Sequence, residues 1–352
     1  MIKNKLYTVA SSDKIPQILE NLNSRLESHY DNSLEYRRII EGVFKSALPS
    51  KRLEELPFIP VRLFKTLDLR SIPEVEIVKT MTSSGTSGQG VSKIFLNKAT
   101  VRRQQEALVS IFKAQTQRSR MPMLIIDSSE TIKNRSRFNA RAAGILGFSM
   151  FGKSTVFALN KDLTIDFAVV QEFFSKHGNE PFLLFGFTYI VYRDFLLSLK
   201  RFGITYPTNE GILIHGGGWK KLEELSISSH DLKSLVSEIL GVQRVYDYYG
   251  MIEQTGSIFF ECDNGFFHAS EWSDIIIRDV ESLRPLKYGF SGLIQLLSIV
   301  PESYPGNSIL TEDIGTLYGE DDCGCGRKGK YFKVHGRVKN SEIRGCSNVI
   351  QD

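Results

Sequence analysis

Short, continuous apolar runs alternate with amphipathic stretches through the middle of this chain. Residues 123–126, 155–159, 182–185 and 211–214 are apolar runs of strand length. Residues 101–112 and 231–240 instead place their apolar side chains on one face of a helix. Runs that are apolar on both faces are typical of parallel strands covered by crossover helices. The pattern therefore predicts an α/β sheet.

The two ends of the chain differ from this middle part. At the N-terminal end, Ile18, Leu22 and Leu26 recur at helical spacing, which predicts a helical cap over residues 1–75. Residues 274–278 and 293–297 lie among Gly, Pro and Asp turns, which favours an antiparallel or barrel-like portion. We expect a core over residues 76–335 and a hinge and tail over residues 336–352.

Composition and charge argue against several functional classes. The 352 residues are 41% hydrophobic and 24% charged, which suits one large domain or two moderate ones. Forty-four basic residues against 40 acidic ones leave +4, which does not indicate a nucleic-acid or membrane partner. No apolar run approaches the roughly 20 residues that span a bilayer, and the first residues lack a signal-peptide pattern, so we expect a cytoplasmic protein.

A Ser-, Thr- and Gly-rich segment from Ser83 to Lys93 has the chemistry of a phosphate-binding loop. Glycines let consecutive backbone N–H groups converge on one anion, the hydroxyls add donors, and Lys93 supplies a mobile cation. The segment is not a Walker loop, because Val91 stands where that loop requires Lys, and a flexible turn is the alternative interpretation. The candidate phosphate-binding residues are Ser83, Ser84, Gly85, Thr86, Ser87 and Gly88.

Two further segments gain meaning beside a nucleotide. Glu253 follows an apolar run and a glycine turn, and Mg²⁺ binds one or two carboxylates together with phosphate oxygens. Three glycines, Gly216, Gly217 and Gly218, end an apolar run and would let a flat ring or a phosphate approach the backbone. Taken alone, the first segment is more often a solvated loop and the second a tight turn.

In order along the chain, these segments resemble the motifs of adenylate-forming enzymes such as acyl-CoA synthetases. The resemblance makes Ser83 to Lys93 the phosphate loop, Gly216 to Gly218 the adenine-side turn, and Tyr249, Gly250 and Glu253 a Tyr-Gly-x-Thr-Glu motif. It also makes Asp313 the ribose ligand and Arg337 part of the hinge, and it implies that Asp313 and Arg337 together orient the ribose. It implies the large N-terminal domain of that superfamily, with mixed and parallel sheets flanked by helices, and it implies ATP and Mg²⁺ as cofactors.

The sequence departs from that superfamily in two ways. Ile252 stands where most members have Thr, so Thr86 or Thr255 would have to supply the missing phosphate contact. By the same resemblance, we also expect this protein to lack the full small C-terminal domain that carries the usual adenylation lysine. We therefore expect Lys93 to carry more of the catalytic charge than it does elsewhere in the superfamily.

Residues 58–65 and 333–347 narrow the resemblance to the LuxE-type acyl-protein synthetases. It implies that a fatty acid is activated as acyl-AMP, transferred to Cys346 as a thioester and delivered to an acyl-CoA-reductase-like partner. Neighbouring basic residues would raise the thiolate fraction of Cys346. One alternative is a ligase that transfers the acyl group to coenzyme A or a carrier protein. Another is a non-catalytic nucleotide-binding subunit of a reductase complex.

The remaining cysteines suggest a metal site. Four cysteines are too few for a disulfide framework in so long a chain. Cys262, Cys323 and Cys325 together with His268 could satisfy tetrahedral Zn²⁺, although their spacing does not fit a standard finger. The alternative is three reduced thiols and a surface histidine.

Overall fold

The computed structural model describes residues 6–44, 48–83, 90–133, 140–218 and 227–338. The chain divides into two compact units: Met1–Gln115 with Gly250–Asp352 forms the first, and Thr116–Tyr249 forms the second. The predicted boundaries at residues 75 and 335 remain predictions. Within the described ranges, no helix combines the length and the apolar character needed to cross a membrane.

The second unit contains a parallel sheet with crossover helices, which confirms the predicted α/β fold. Its strands lie in the order β5, β4, β6, β7, β8, and every pairing among them is parallel. They are β4 (Met121–Ser128), β5 (Gly152–Leu159), β6 (Phe182–Phe187), β7 (Gly211–Gly216) and β8 (Arg244–Tyr249). All side chains of β4, β6 and β7 are buried, which explains the continuous apolar runs in the sequence.

Among the described residues, the α-helices of the second unit are α4 (Glu130–Lys133), α5 (Ala140–Ser149), α6 (Phe167–His177), α7 (Thr188–Ile190), α8 (Leu197–Arg201) and α9 (Ser229–Leu240). A π-helix, Val191–Leu196, lies between α7 and α8. In α9 the Ser228 side chain accepts a hydrogen bond from the Asp231 N–H, so the first turn is capped. Leu232, Val236 and Ile239 are buried at helical spacing on one face. Burying each such side chain contributes about 1.5–3 kcal/mol to stability.

The first unit begins with helices and contains a mostly antiparallel sheet. Its helices are α1 (Ser11–Asn32), α2 (Leu34–Ile39) and α3 (Lys98–Thr116), the last of which ends at the unit boundary. Short 3₁₀ helices span Leu53–Glu55, Val61–Lys65, Glu74–Glu76 and Ile252–Gln254. The helical spacing predicted for the N-terminal segment is confirmed by α1, which buries Ile18, Leu22 and Leu26.

The sheet of the first unit contains β10 (Phe267–His268), β14 (Lys330–Arg337), β13 (Ser308–Glu320), β12 (Ser291–Ser298) and β11 (Ser273–Arg278), in that order. A short parallel strand, β1 (Ile59–Pro60), pairs with β13. Two further strands, β2 (Lys79–Thr82) and β3 (Lys93–Leu96), form a separate antiparallel hairpin. A two-residue strand, β9, spans Phe259–Phe260. The predicted antiparallel portion is thereby confirmed.

Candidate functional site

The predicted phosphate loop connects the two strands of the β2–β3 hairpin. Thr82 and Lys93 are the last paired residues before the loop. Beyond them, Ser83 N donates to Ser92 O at 3.0 Å, and Ser92 N donates to Ser83 Oγ at 2.9 Å. These two bonds close the neck of the loop. The candidate residues at its tip lie outside the described residues; they are Ser84, Gly85, Thr86, Ser87 and Gly88.

The returning end of the loop packs against the Val61–Lys65 helix. A Cβ atom added to Gly90 would lie 2.9 Å from the carbonyl oxygen of Lys65, which is too close for any residue except glycine. The glycine at this position therefore permits close backbone approach. The backbone of Lys65 lies directly beside the C-terminal end of the predicted phosphate loop.

Glu253 is held on the short Ile252–Gln254 helix and is only 6% exposed. Its backbone oxygen accepts a hydrogen bond of 2.9 Å from the buried Tyr304 hydroxyl. The next residue, Gln254, donates through Nε2 to the carbonyls of Gly306 at 2.8 Å and Leu296 at 3.2 Å. These bonds fix the position of the turn that carries the carboxylate.

Burial raises the pKa of Glu253, because a carboxylate loses its hydration there. The Ser92 hydroxyl and the positive charges of Lys65 and Arg337 act in the opposite direction. The predicted phosphate loop and the predicted Mg²⁺ ligand therefore meet within the first unit, at Ser92. A divalent cation would stabilise the ionised form of this carboxylate, which has lost the stabilisation that water provides.

Two lysines lie beside the neck of the predicted phosphate loop, and the sequence singled out only one. Lys93 Nζ lies 3.7 Å from Asp68 Oδ1, and both side chains are more than half exposed, so the pair adds little stability. Lys65 is also exposed, and its charge reaches Glu253. Lys65 lies within residues 58–65, which served only to narrow the family resemblance. That segment was the one sequence feature that could have pointed to Lys65, but it suggested no chemical role.

The residues predicted to bind ribose are neighbours across two strands. Asp313 on β13 and Arg337 on β14 are directly paired, and Arg337 Nε lies 3.4 Å from Asp313 Oδ1. Asp313 is mostly buried, whereas the Arg337 side chain is 80% exposed. A fixed carboxylate beside an exposed guanidinium can accept hydrogen bonds from neighbouring hydroxyls and still attract an anion.

The remaining candidates of the Tyr-Gly segment have structural roles of their own. Thr255 Oγ1 donates to the Ile252 carbonyl at 2.8 Å and closes the short helix. A Cβ atom on Gly250 would lie 3.0 Å from Ile258 Cγ2. In the second unit, Tyr249 is the last residue of β8. The proposed phosphate contact of Thr255 remains a prediction.

The predicted adenine-side turn follows β7 in the second unit. Gly217 and Gly218 have φ angles of +85° and +57°, a region that favours glycine. Cβ atoms on Gly216 and Gly217 would lie 2.6 Å from Tyr248 Cε1 and from Phe187 Cδ1, respectively. The backbone can therefore lie flat against two aromatic rings only because these residues are glycines.

A buried histidine lies just before this turn. His215 Nδ1 is 3.0 Å from the Thr188 hydroxyl, which also donates to Gly216 O at 3.1 Å. Burial and the charge of Lys233 lower the pKa of His215 to about 3. The ring is therefore neutral near pH 7, and it orders the glycine turn without adding charge.

The four predicted metal ligands converge in the first unit. The ligand atoms of Cys262, His268, Cys323 and Cys325 all lie within 4.8 Å of one another. His268, Cys262 and Cys323 are buried, and Cys325 is partly exposed. The alternative of a surface histidine is wrong, because His268 has no exposed surface.

The structure thus brings most described candidates into one unit. Ser83, Lys93, Thr255, Glu253, Asp313 and Arg337 belong to the first unit, whereas Gly216 to Gly218 and Tyr249 belong to the second. Cys346 lies outside the described residues. The contributions of Ser92 and Lys65 to the surroundings of Glu253 were not predicted.

Two curated ligases are similar to this chain in sequence. The chain is 25% identical over 344 residues to the long-chain-fatty-acid–luciferin-component ligase of Vibrio harveyi, covering 93% of this chain and 87% of that one. It is likewise 25% identical over 340 residues to the enzyme of the same name from Aliivibrio fischeri, covering 92% and 86%.

Solved structures show the same fold. An open conformation of 2-hydroxyisobutyryl-CoA ligase, in complex with 2-HIB-AMP and CoA, has a TM-score of 0.72 at 17% identity, covering 95% of this chain and 77% of that one. ATP-bound MatB from Rhodopseudomonas palustris has a TM-score of 0.50 at 15% identity, covering 76% of this chain and 49% of that one. The predicted fold class is confirmed.

A model of the acyl-protein synthetase family, LuxE, matches residues 4–352, nearly the whole chain. Together with the two ligases that resemble it, this match confirms the predicted enzyme class, an acyl-adenylate-forming ligase. The chain belongs to the LuxE family of acyl-protein synthetases.

Proposed function

We propose that this chain activates a long-chain fatty acid with ATP and transfers the acyl group to its own Cys346 for delivery to an acyl reductase. The observation that carries the proposal is the buried Glu253 carboxylate beside Ser92, at the neck of the phosphate loop. The family match and the named activity of the two ligases support the choice of a fatty acid.

In the first step, a carboxylate oxygen of the fatty acid attacks the α-phosphorus of ATP. A new C–O–P linkage forms, the bond to the β-phosphate breaks, and pyrophosphate leaves. The loop between Ser83 and Ser92 provides backbone N–H groups and hydroxyls for the phosphates. Lys93 and Lys65 add positive charge next to the loop, where negative charge moves onto the leaving pyrophosphate.

Magnesium fits the donor chemistry of Glu253. The carboxylate is buried, and the loss of hydration raises its pKa. A cation beside it would stabilise the negative charge that water no longer stabilises. Glu253 would hold Mg²⁺, which supplies electrostatic stabilisation of the phosphates. Asp313 and Arg337 would orient the ribose.

In the second step, the Cys346 thiolate attacks the acyl carbon of the acyl-AMP. A thioester bond forms, the acyl–phosphate bond breaks, and AMP leaves with the electron pair. Because the thiolate is the nucleophile, the rate should rise with its fraction. The acyl-Cys346 protein then donates its acyl group to an acyl-CoA-reductase-like partner.

A carboxylate-dependent ATP–pyrophosphate exchange assay over a panel of acids tests the first step. We expect exchange with long-chain fatty acids and much less with short or aromatic acids. The matched control is the Glu253→Gln variant, which keeps the shape of the side chain but lacks its charge. Absence of exchange with every acid, from a folded protein with Mg·ATP present, would contradict the proposal and favour a non-catalytic nucleotide-binding subunit.

A further inference from the structure

Two separations among the ligand atoms of Cys262, His268, Cys323 and Cys325 match those around a single tetrahedral ion. Zn–S bonds of about 2.3 Å place two sulfurs about 3.8 Å apart, and a Zn–N bond of about 2.0 Å places sulfur and nitrogen about 3.5 Å apart. Cys262 Sγ and Cys323 Sγ are 3.9 Å apart, and Cys325 Sγ is 3.4 Å from His268 Nε2. Both separations match the edges of such a tetrahedron.

Other interpretations of this cluster fit less well. A disulfide needs two sulfurs about 2.05 Å apart, which is far shorter than the 3.9 Å between Cys262 and Cys323. A cluster with two irons would need its ligands divided between two metal positions, whereas all four ligand atoms here lie within 4.8 Å of one another. All four ligand atoms are therefore close enough to share one ion.

The backbone around the cluster is arranged as two short turns. Cys262 N donates to Phe266 O at 2.8 Å, and Gly265 N donates to Cys262 O at 2.9 Å. In the second turn, Gly326 N donates to Cys323 O at 2.9 Å. Antiparallel pairing of β10 with β14 places His268 opposite Tyr331 and so holds the two turns side by side.

The second turn also holds the N-terminal segment of the chain. Lys328 N donates to Tyr7 O at 2.9 Å, and the Arg327 guanidinium lies 4.8 Å from the centre of the Tyr7 ring. Ser11 N, in the first residue of α1, donates to Asp321 Oδ2 at 2.9 Å. An ion that fixes this turn would therefore also fix the start of α1.

We propose that Cys262, His268, Cys323 and Cys325 bind one Zn²⁺ in a closed structural site that joins these two turns and anchors the N-terminal segment. Three thiolates and one imidazole complete the coordination, which leaves no position for water or substrate. Asn264 Nδ2, 3.9 Å from Cys323 Sγ, is placed to orient that ligand. The site is separate from the residues proposed to bind the nucleotide.

Metal analysis of the purified full-length chain, produced in zinc-containing medium, tests this proposal. We expect about one zinc per chain in the wild type and a loss of about tenfold or more in Cys323→Ser and Cys325→Ser. Cys346→Ser is the matched control, because it removes a thiol outside the cluster and should keep the zinc. Iron in place of zinc, or zinc retained in both cluster variants, would overturn the proposal.

The wild-type chain provides a second test that does not depend on whether the variants fold. Treatment with a strong chelator should lower Tm by about 5 °C or more, and it should speed proteolytic cleavage before α1. Added Zn²⁺ should restore both properties, whereas added Mg²⁺ should not. A wild-type chain that holds less than about a tenth of a zinc and shows no response to added Zn²⁺ would overturn the site. Neither readout requires adenylation activity, so the zinc proposal can fail while the proposed function holds, and the reverse.

Discussion

Ser83 and Ser92 are joined by two hydrogen bonds, one from Ser83 N to Ser92 O at 3.0 Å and one from Ser92 N to Ser83 Oγ at 2.9 Å. They close the neck of the loop that we assign to the phosphates of ATP. Ser92 is buried, and its hydroxyl also influences the pKa of Glu253. The position of the loop and that of the carboxylate are therefore coupled through one serine.

Replacing Ser83 with alanine should weaken nucleotide binding. The Ser92 N–H then loses its acceptor at the neck, at a cost of about 1 kcal/mol. We expect KM for ATP to rise roughly 3- to 10-fold, with a small change in kcat, in the pyrophosphate exchange assay. Ser83→Thr, which keeps the hydroxyl, is the control. An unchanged KM in Ser83→Ala would show that the neck does not position the phosphates.

Replacing Glu253 with glutamine should stop adenylation without unfolding the protein. The amide keeps the size of the side chain but cannot provide the charge that holds Mg²⁺. We expect kcat for exchange to fall about 100-fold or more. Circular dichroism and the unfolding midpoint serve as controls for folding. Exchange within about twofold of the wild-type rate would remove Glu253 from the mechanism.

The burial of Glu253 should also make the stability of the protein depend on pH, and the Glu253→Gln variant serves as the comparison. Burial raises the pKa of Glu253 in the folded state above its ordinary value of 4.5. As pH rises through the interval between the unfolded and folded pKa values, the unfolded chain loses this proton first, so the stability contributed by the neutral carboxyl is lost. Above 4.5, the wild type should lose free energy of unfolding relative to Glu253→Gln. Urea unfolding of both proteins across pH 4 to 8 measures this difference, and parallel curves would contradict it.

Lys65 and Lys93 should both contribute to adenylation. We expect Lys65→Ala and Lys93→Ala each to lower kcat for exchange about tenfold, because each removes positive charge beside the phosphate loop. Lys79→Ala is the matched control: Lys79 is exposed on the same hairpin but pairs with Leu96, at the end away from the loop. If Lys65→Ala behaves like Lys79→Ala, then Lys65 has no part in the charge stabilisation.

Replacing Cys346 with alanine should separate the two chemical steps. Adenylation does not need the thiol, so pyrophosphate exchange should remain within about twofold of the wild-type rate. Labelling of the protein by a radioactive fatty acid, detected after gel electrophoresis without reducing agent, should disappear. Full labelling of Cys346→Ala would show that another residue accepts the acyl group. Unchanged transfer to coenzyme A would favour the alternative ligase activity.

The glycine turn after β7 allows a paired test of backbone strain. Gly217 and Gly218 both have positive φ, but among the described residues only Gly217 would bring a Cβ into a clash, 2.6 Å from Phe187 Cδ1, whereas no described atom lies within 4 Å of a Cβ at Gly218. We expect Gly218→Ala to cost about 1 kcal/mol of unfolding free energy and Gly217→Ala about 2–4 kcal/mol. Urea unfolding measures both values. Equal costs would show that Phe187 moves aside without penalty.

Much of the fold was predictable because burial leaves a pattern in the sequence. The runs that became β4, β6 and β7 are apolar throughout, since both faces of those strands are covered. The glycine turn was predictable for a different reason, because Gly217 needs a conformation that few other residues adopt. The phosphate-binding role of the Ser83 to Lys93 segment remains a prediction from its composition.

The sequence by itself determined which residue types were available: a hydroxyl-rich loop, a carboxylate after a glycine turn, and three cysteines with one histidine. Only the tertiary structure decided which of them meet. Ser92 and Lys65 approach Glu253, and Cys262 approaches Cys323, across long stretches of chain. Periodicity records which face of an element is buried. It carries no information about which loops strand pairing and close glycine packing bring together, because those contacts form between distant segments.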